Sequence, residues 1–467
     1  MPPSLALSLW FLLLVALLYF DPAKERGTSL ALWLPSIWMF ILGSRLPSQW
    51  LGGISTSPPP ELIQEGNPLD RNIGIVLILL AIAVLAFRSF PWGSLFARNL
   101  ALAGLLAYAL LSVVWSDFPF VAFKRWFRDL GSYLMMLIVL SDARPFEAVR
   151  TLFRRVCYLL IPLSIVFIKY FPDIGKSWDI WTGIAEYSGV ATSKNMLGVV
   201  CVISGLFFFW DTAERWHSRK EQRTRRIIMV NIAFLAMTLH LLSLANSATS
   251  RICLAMGWLV IVAARSKAFK RHPDFLKIAI PAIFVLYLVL AFGFNFNARM
   301  ASAFGRNPTL TDRTMIWSIL LSMHTDPLFG TGYESFWLGH RLMTIRELYG
   351  GINEAHDGYL SIYLNLGLVG LSLLVVFLIA SYRVIWRRQG PFSSLSSFTL
   401  AVWTILLFYN VTESAFGGGL LWLALLPGAL NLGGGANERS EDVATVNYVS
   451  AVEGSAAFSK ETTGLSG

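Results

Sequence analysis

Apolar runs long enough to cross a bilayer, about 17 to 25 residues, recur along the chain with polar breaks between them. They fall near 4–20, 28–44, 73–88, 99–115, 129–141, 156–171, 189–210, 228–245, 252–264, 278–294, 358–382, 396–411 and 415–432. The pattern predicts an all-α polytopic membrane protein with about twelve or thirteen transmembrane helices. The run at 129–141 is short for a span and reads as re-entrant or as extended by its flanks. The chain divides into N-terminal spans with an outward linker (1–72), a core of spans (73–294), a long loop (295–357), C-terminal spans (358–432) and a tail (433–467). The tail is rich in Gly, Ser, Ala and Glu without periodicity, and is expected to be disordered and cytoplasmic.

The loop at 295–357 has a pattern of its own. Thr311 or Asp312 is placed to cap a helix, and Met315, Ile316, Ile319, Leu320 and Met323 recur at helical spacing, with Thr314, Ser318 and Ser322 on the other side. This predicts an amphipathic helix suited to the membrane interface. Pro327, Gly330 and Gly332 then force a turn, and Tyr333, Phe336 and Trp337 are aromatics of the kind that anchor at that depth.

Composition sharpens this picture. The 467 residues are 55% hydrophobic and 14% charged, with mean hydropathy +0.59, far from the roughly one quarter charged residues of a soluble domain. The net charge of +10 in a soluble chain would suggest nucleic acid. Here the cations gather in short loops between spans, which is an orientation signal and predicts no nucleic-acid partner. The clearest such loop holds Arg215, Arg219, Lys220, Arg223, Arg225 and Arg226 and is read as cytoplasmic. Alternation puts the basic loops at 265–271 and 383–388 on the same side and the loop at 295–357 outside. The cluster Lys124, Arg125 and Arg128 opposes this rule, which hints at an anionic ligand on the outer face. Cys157, Cys201 and Cys253 all lie in apolar runs and suggest packing. The N-terminal run lacks a basic leader and cleavage site, and is expected to be retained.

Ionisable groups at a membrane face are candidates for function. His356 stands at the outer mouth of a predicted span between Glu354 and Asp357, where carboxylates can orient an imidazole that takes a proton from a hydroxyl. Arg251 follows the polar turn Ser247–Ser250, Arg313 opens the amphipathic helix, and Arg306 lies just before it. Guanidinium forks that met on one face would clamp a pyrophosphate. Lys194 and Asn195 in the outer third of a span, Tyr333 in the loop turn and Glu413 before the last span complete the substrate-binding candidates, with Asp357 beside His356. Each also has a structural alternative: headgroup anchoring for the cations, capping or loop packing for the others. The chain has no phosphate-binding Gly-Lys loop, no dinucleotide fingerprint and no His-Glu-x-x-His pair, so neither a nucleotide cofactor nor a metal site is predicted.

The series Ser247–Arg251, Thr309–Arg313 with Trp317, Pro327–Trp337 and His356–Leu360 up to Gly367 and Gly370 resembles the O-antigen ligase and Wzy-type polymerase superfamily, with its exopolysaccharide polymerases closest in look. Lys194-Asn195 and Trp115-Ser116 resemble further outward-end motifs of that family, so the resemblance covers about residues 75–430. It departs at Asp312, where such enzymes often have Gly before the loop arginine. The resemblance implies a C-type, metal-independent glycosyltransferase of the bacterial inner membrane, its active site facing the periplasm. It needs no cofactor and acts on undecaprenyl-diphosphate-linked oligosaccharide. On that reading Arg251 and Arg313 hold the donor diphosphate and His356 acts as, or positions, the base. A flippase and a chain-length regulator are the implied partners, along with membrane lipid. A ligase acting on lipid A core shares the same donor chemistry. A transporter would bind the same lipid without reaction, but the chain lacks the internal repeat common in transporters.

Overall fold

The computed structural model describes residues 1–21, 27–52, 65–88, 90–178, 183, 185–267, 271–293, 310–349, 354–387 and 394–432. The expected linker prolines Pro58–Pro60, Arg306 and the tail 433–467 lie outside these residues. The longer helices are α1 (Pro3–Phe20), α2 (Trp33–Gly43), α3 (Pro68–Phe87), α4 (Leu100–Leu111), α5 (Pro119–Leu140), α6 (Pro145–Tyr170), α7 (Lys194–Arg215), α8 (Gln222–Ala245), α9 (Ala248–Arg265) and α10 (Pro273–Leu288). They continue with α11 (Leu310–Ser322), α12 (Gly339–Tyr349), α13 (Gly358–Arg387), α14 (Ser394–Tyr409) and α15 (Leu420–Ala429).

The protein is an all-α multi-pass membrane protein. Seven described helices are long and apolar enough to span a bilayer, and the pair Trp92–Arg98 and Leu100–Trp115, bent by 95°, makes an eighth if it counts as one span. Each predicted apolar run lies on helix. The short run at 129–141 is the apolar half of α5, whose first turns carry Lys124, Arg125 and Arg128. Local chemistry sets the helix starts: Asn67, Ser193 and Ser247 each accept a backbone N–H of the first turn, filling donors a helix leaves open.

Helices α6, α7, α8, α9 and α14 form the centre. Phe153 stacks on Phe207 and meets Phe398 edge to face, and Phe398 in turn packs on Trp210. Arg154 pairs with Asp211 and donates to Asn231 (2.9 Å), which donates to Asp211 (2.8 Å). This polar group pins α6, α7 and α8 together, since buried charge is tolerated only when paired and hydrogen-bonded. The residues 176–178 and 185–187 form a two-stranded antiparallel ribbon with Lys176 opposite Tyr187. We label its strands β1 and β2.

The predicted loop helix is present as α11, but its apolar stripe meets protein rather than the membrane interface. Leu320 is 1% exposed and packs with Phe336, Ile345, Ala355 and Leu364, flanked by Ile316, Met323 and Trp337. Phe336 and Trp337, expected as anchors, therefore help to build a small second core, completed by α12, a helix the sequence reading did not foresee. Two apolar surfaces close in sequence bury each other more completely than either would in headgroups.

Beneath this core α13 is broken at Gly367, which has φ +64°. Across the break the normal helical bonds are exchanged for bonds to the turn at 327–332. Thr331 and Gly332 donate to the carbonyls of Leu364 (3.1 Å) and Asn365 (2.8 Å), while Leu368 and Val369 donate to those of Pro327 (3.0 Å) and Leu328 (3.1 Å). The Tyr108 hydroxyl donates to the carbonyl of Leu366 at 3.0 Å. Every one of these groups keeps a partner, as backbone at membrane depth requires.

Candidate functional site

His356 has φ +48°, a left-handed conformation that costs a non-glycine residue about 1–2 kcal/mol. Such strain persists where the surroundings over-determine it, often at functional sites. Its Nδ1 lies 3.2 Å from Glu354 and 3.3 Å from Glu413. Ionised carboxylates only accept, so Nδ1 carries a proton, and in the neutral imidazole Nε2 is the ring nitrogen with the lone pair. Glu413 is 5% exposed, and its other oxygen accepts from Asn195 Nδ2 at 3.0 Å. The chain Asn195–Glu413–His356 thus links α7, the turn after α14 and the entrance to α13. The Asp357 carboxylate caps α13, its Oδ1 accepting from Leu360 N at 2.8 Å.

Three helix N-termini meet at this turn. Asn195 is in the first turn of α7, and the Thr249 hydroxyl of α9 lies 3.1 Å from that of Thr412. Gly358 of α13 donates to the carbonyl of Asn410 at 2.8 Å. A helix N-terminus carries roughly half a positive charge, so their convergence favours an anion, and phosphates above all. Gly198 faces Ser247 and Ser250 with no room for a Cβ, which sets how closely α7 and α9 approach.

The sequence candidates separate on this map. His356, Glu413 and Asn195 come together. Lys194 sits beside them, paired with Glu186 of β2. Arg251 is on the helix that reaches Thr412, and its Nη2 donates to the carbonyl of Ser243 (3.1 Å) and to Asn246 Oδ1 (3.0 Å). Of Arg313 only the backbone is described, in α11; one turn later Trp317 donates to the carbonyl of Ala355 at 2.8 Å, beside His356. Tyr333 belongs to a different group: its hydroxyl donates to Asp129 at 2.8 Å, and burial together with Asp129 holds the phenol pKa well above its ordinary value.

The basic cluster that opposed the orientation rule is used within the protein. Lys124 pairs with Glu65, Arg125 donates to the carbonyl of Glu334 (2.6 Å) and Arg128 pairs with Asp129 at 3.0 Å. The sequence reading missed how Glu413 joins His356, since 57 residues separate them; the one signal was a carboxylate in an otherwise apolar turn. The ligand atoms of Glu354, His356 and Glu413 lie within 4.8 Å of one another, a spacing that also admits a divalent cation.

Comparison with known proteins bears on this geometry. Residues 231–375 match the family described as O-antigen ligase. This part of the chain is similar to that family. The match runs from α8 through the His356 segment into α13, so the matched segment holds Arg251, Arg313 and His356, while Asn195 and Glu413 flank it. The exopolysaccharide production protein ExoQ of Rhizobium meliloti (strain 1021) is 23% identical over 300 residues, 62% of this chain. The aligned part spans 65% of that relative, just under two thirds of its length. The resemblance to the O-antigen ligase and Wzy-type superfamily is thus supported by both comparisons.

One prediction follows from the two-sided hold on Glu413. Asn195 and His356 both donate to it, so Gln at 413 offers one oxygen to two donors. Glu413→Gln is expected to lower turnover about 10–100-fold, as loss of an orienting partner does, with the protein still folded. Single-turnover transfer rates check this, and a wild-type rate would remove Glu413 from the site.

Proposed function

We propose that the chain polymerises undecaprenyl-diphosphate-linked oligosaccharide repeats into exopolysaccharide at the outer face of the bacterial inner membrane. The observation that carries the reading is an imidazole, held by Glu413 through Nδ1, standing where three helix N-termini converge inside an O-antigen ligase domain. Nε2 of His356 takes the proton from an acceptor hydroxyl as that oxygen bonds to the anomeric carbon of the donor sugar. The bond from that carbon to the diphosphate oxygen breaks, and the lipid diphosphate leaves with both electrons. Arg251 and Arg313, with the helix N-termini, stabilise the charge that develops there. The proton passes from Nε2 to water. The outward placement rests on the basic loop at 215–226, which the charge bias assigns to the cytoplasm.

The reaction on this reading is metal-independent, because the guanidinium groups of Arg251 and Arg313 supply the charge a cation would. Chelation by EDTA is expected to leave turnover within about twofold of the untreated rate, far below the several kcal/mol a catalytic metal contributes. Loss of activity that added Mg²⁺ or Zn²⁺ restores would assign the Glu354–His356–Glu413 group to a metal instead. The test of function is reconstitution with lipid-linked repeat units. A ladder of polymer supports the proposal. Transfer only to lipid A core makes the chain a ligase, and movement of unreacted donor across the bilayer makes it a transporter.

A further inference from the structure

Asn410 is fully buried at the end of α14 and makes hydrogen bonds through every polar atom of its side chain. Nδ2 donates to the carbonyl of Leu406 (2.7 Å), and Oδ1 accepts from the backbone N–H of Ala415 (2.8 Å) and Phe416 (3.1 Å). Those two amides close the turn whose middle holds Glu413. The Asn410 carbonyl accepts from Gly358 N, two residues beyond His356. One residue therefore fixes both partners of the Glu413–His356 contact, one through its side chain and the other through its backbone.

The fit is close. A Cβ on Gly358 would overlap Asn410 Oδ1, so α13 begins where only a glycine lets the two segments touch. The chemistry asks for one donor and one double acceptor on the same carbon, at the reach of a single methylene. Asparagine offers both; Asp keeps the double acceptor and Ala keeps neither.

We propose that Asn410 is a positioning residue for the transfer reaction, acting through Glu413 and His356 rather than on substrate. The proposal rests on the reading of His356 as base. It sets the distance over which the imidazole is held, while the diphosphate is held by other groups, so kcat and KM separate when it is altered.

The experiment compares Asn410→Asp, Asn410→Ala and His356→Ala in reconstituted protein, with rates expressed per folded molecule. Asn410→Ala is expected to lower kcat at least roughly tenfold, a loss in the range misplacement of a catalytic group produces, and to leave KM for lipid-linked donor within about twofold. Asn410→Asp retains the acceptors for Ala415 and Phe416 and recovers most of the rate. A purely structural residue predicts wild-type rates per folded molecule in both variants, with the loss appearing only in folded yield and larger for Asp, a carboxylate buried against the Leu406 carbonyl. The proposal is overturned if both variants turn over at the wild-type rate per folded molecule, if the loss lies in KM, or if Asp is worse than Ala. Should Asn410→Ala not fold, Asn410→Ser takes its place: a kcat loss of at least roughly tenfold per folded molecule with KM unchanged supports positioning, and a kcat near wild type sinks it. Full activity in His356→Ala would instead bring down the reading of the base, and the Asn410 proposal with it.

Discussion

Replacing His356 by Asn is expected to lower turnover by roughly 10²–10⁴-fold, the usual contribution of a positioned general base. Asn is the informative substitution because it tolerates the left-handed backbone found at this position (φ +48°), whereas Ala adds strain to the loss of the imidazole. It fits near Glu354 and Glu413 and can donate an N–H to either, so the carboxylates are not left without a donor. Stability is expected to stay within about 1 kcal/mol of the parent, since a donor and the backbone conformation are kept. Transfer rates and thermal unfolding in detergent check the two halves of the expectation. A variant that folds and retains more than a tenth of the wild-type rate would dismiss His356 as the base.

The second large effect lies away from the chemistry. Gly367→Ala is expected to destabilise by roughly 2–5 kcal/mol, the sum of a left-handed alanine and overpacking. The Cβ would drive into the backbone of Leu328 and Phe329, and backbone cannot swing aside as a side chain can. The matching contact on the other side is Gly330, whose own Cβ would strike Asn365 and Gly367. Gly417→Ala is the control: φ is +98° but nothing lies within 4 Å of the added carbon, so it reports strain alone. Folded yield and unfolding temperature separate the two variants, and equal losses would show that the close approach at Gly367 does not matter.

The spans were legible in the sequence because length and apolar content suffice to read a membrane helix. The α11 helix was legible for the same reason, its stripe at Ile316, Leu320 and Met323 repeating at helical spacing. What covers that stripe was not, because periodicity identifies an apolar face and never its partner. In the site, His356 stood out as an imidazole flanked by carboxylates. Of those flanking it in sequence, Glu354 approaches Nδ1, while Asp357 uses its carboxylate as a cap. The third carboxylate, Glu413, comes from across the fold. Local sequence favours a capping reading for any Asp just before a helix, and contacts between α7, α13 and α14 leave no mark on any one segment. The charges of α5 misled for a related reason: Lys124 and Arg128 were read as facing an outside ligand, and both are matched by acidic groups of the protein itself, Glu65 and Asp129.

The convergence of three helix ends has a consequence for the cycle after transfer. A field built from backbone dipoles is permanent, and does not weaken when the glycosidic bond to the carrier is cut. For an enzyme acting on diphosphate lipids, the spent carrier gains an ionisable oxygen where the sugar was attached and so is drawn to the same place at least as strongly as the loaded one. On the proposed reading, clearance of the carrier, rather than the encounter with a fresh donor, then sets the pace when the spent lipid accumulates, and the rate of chain growth becomes tied to how fast the membrane recycles it.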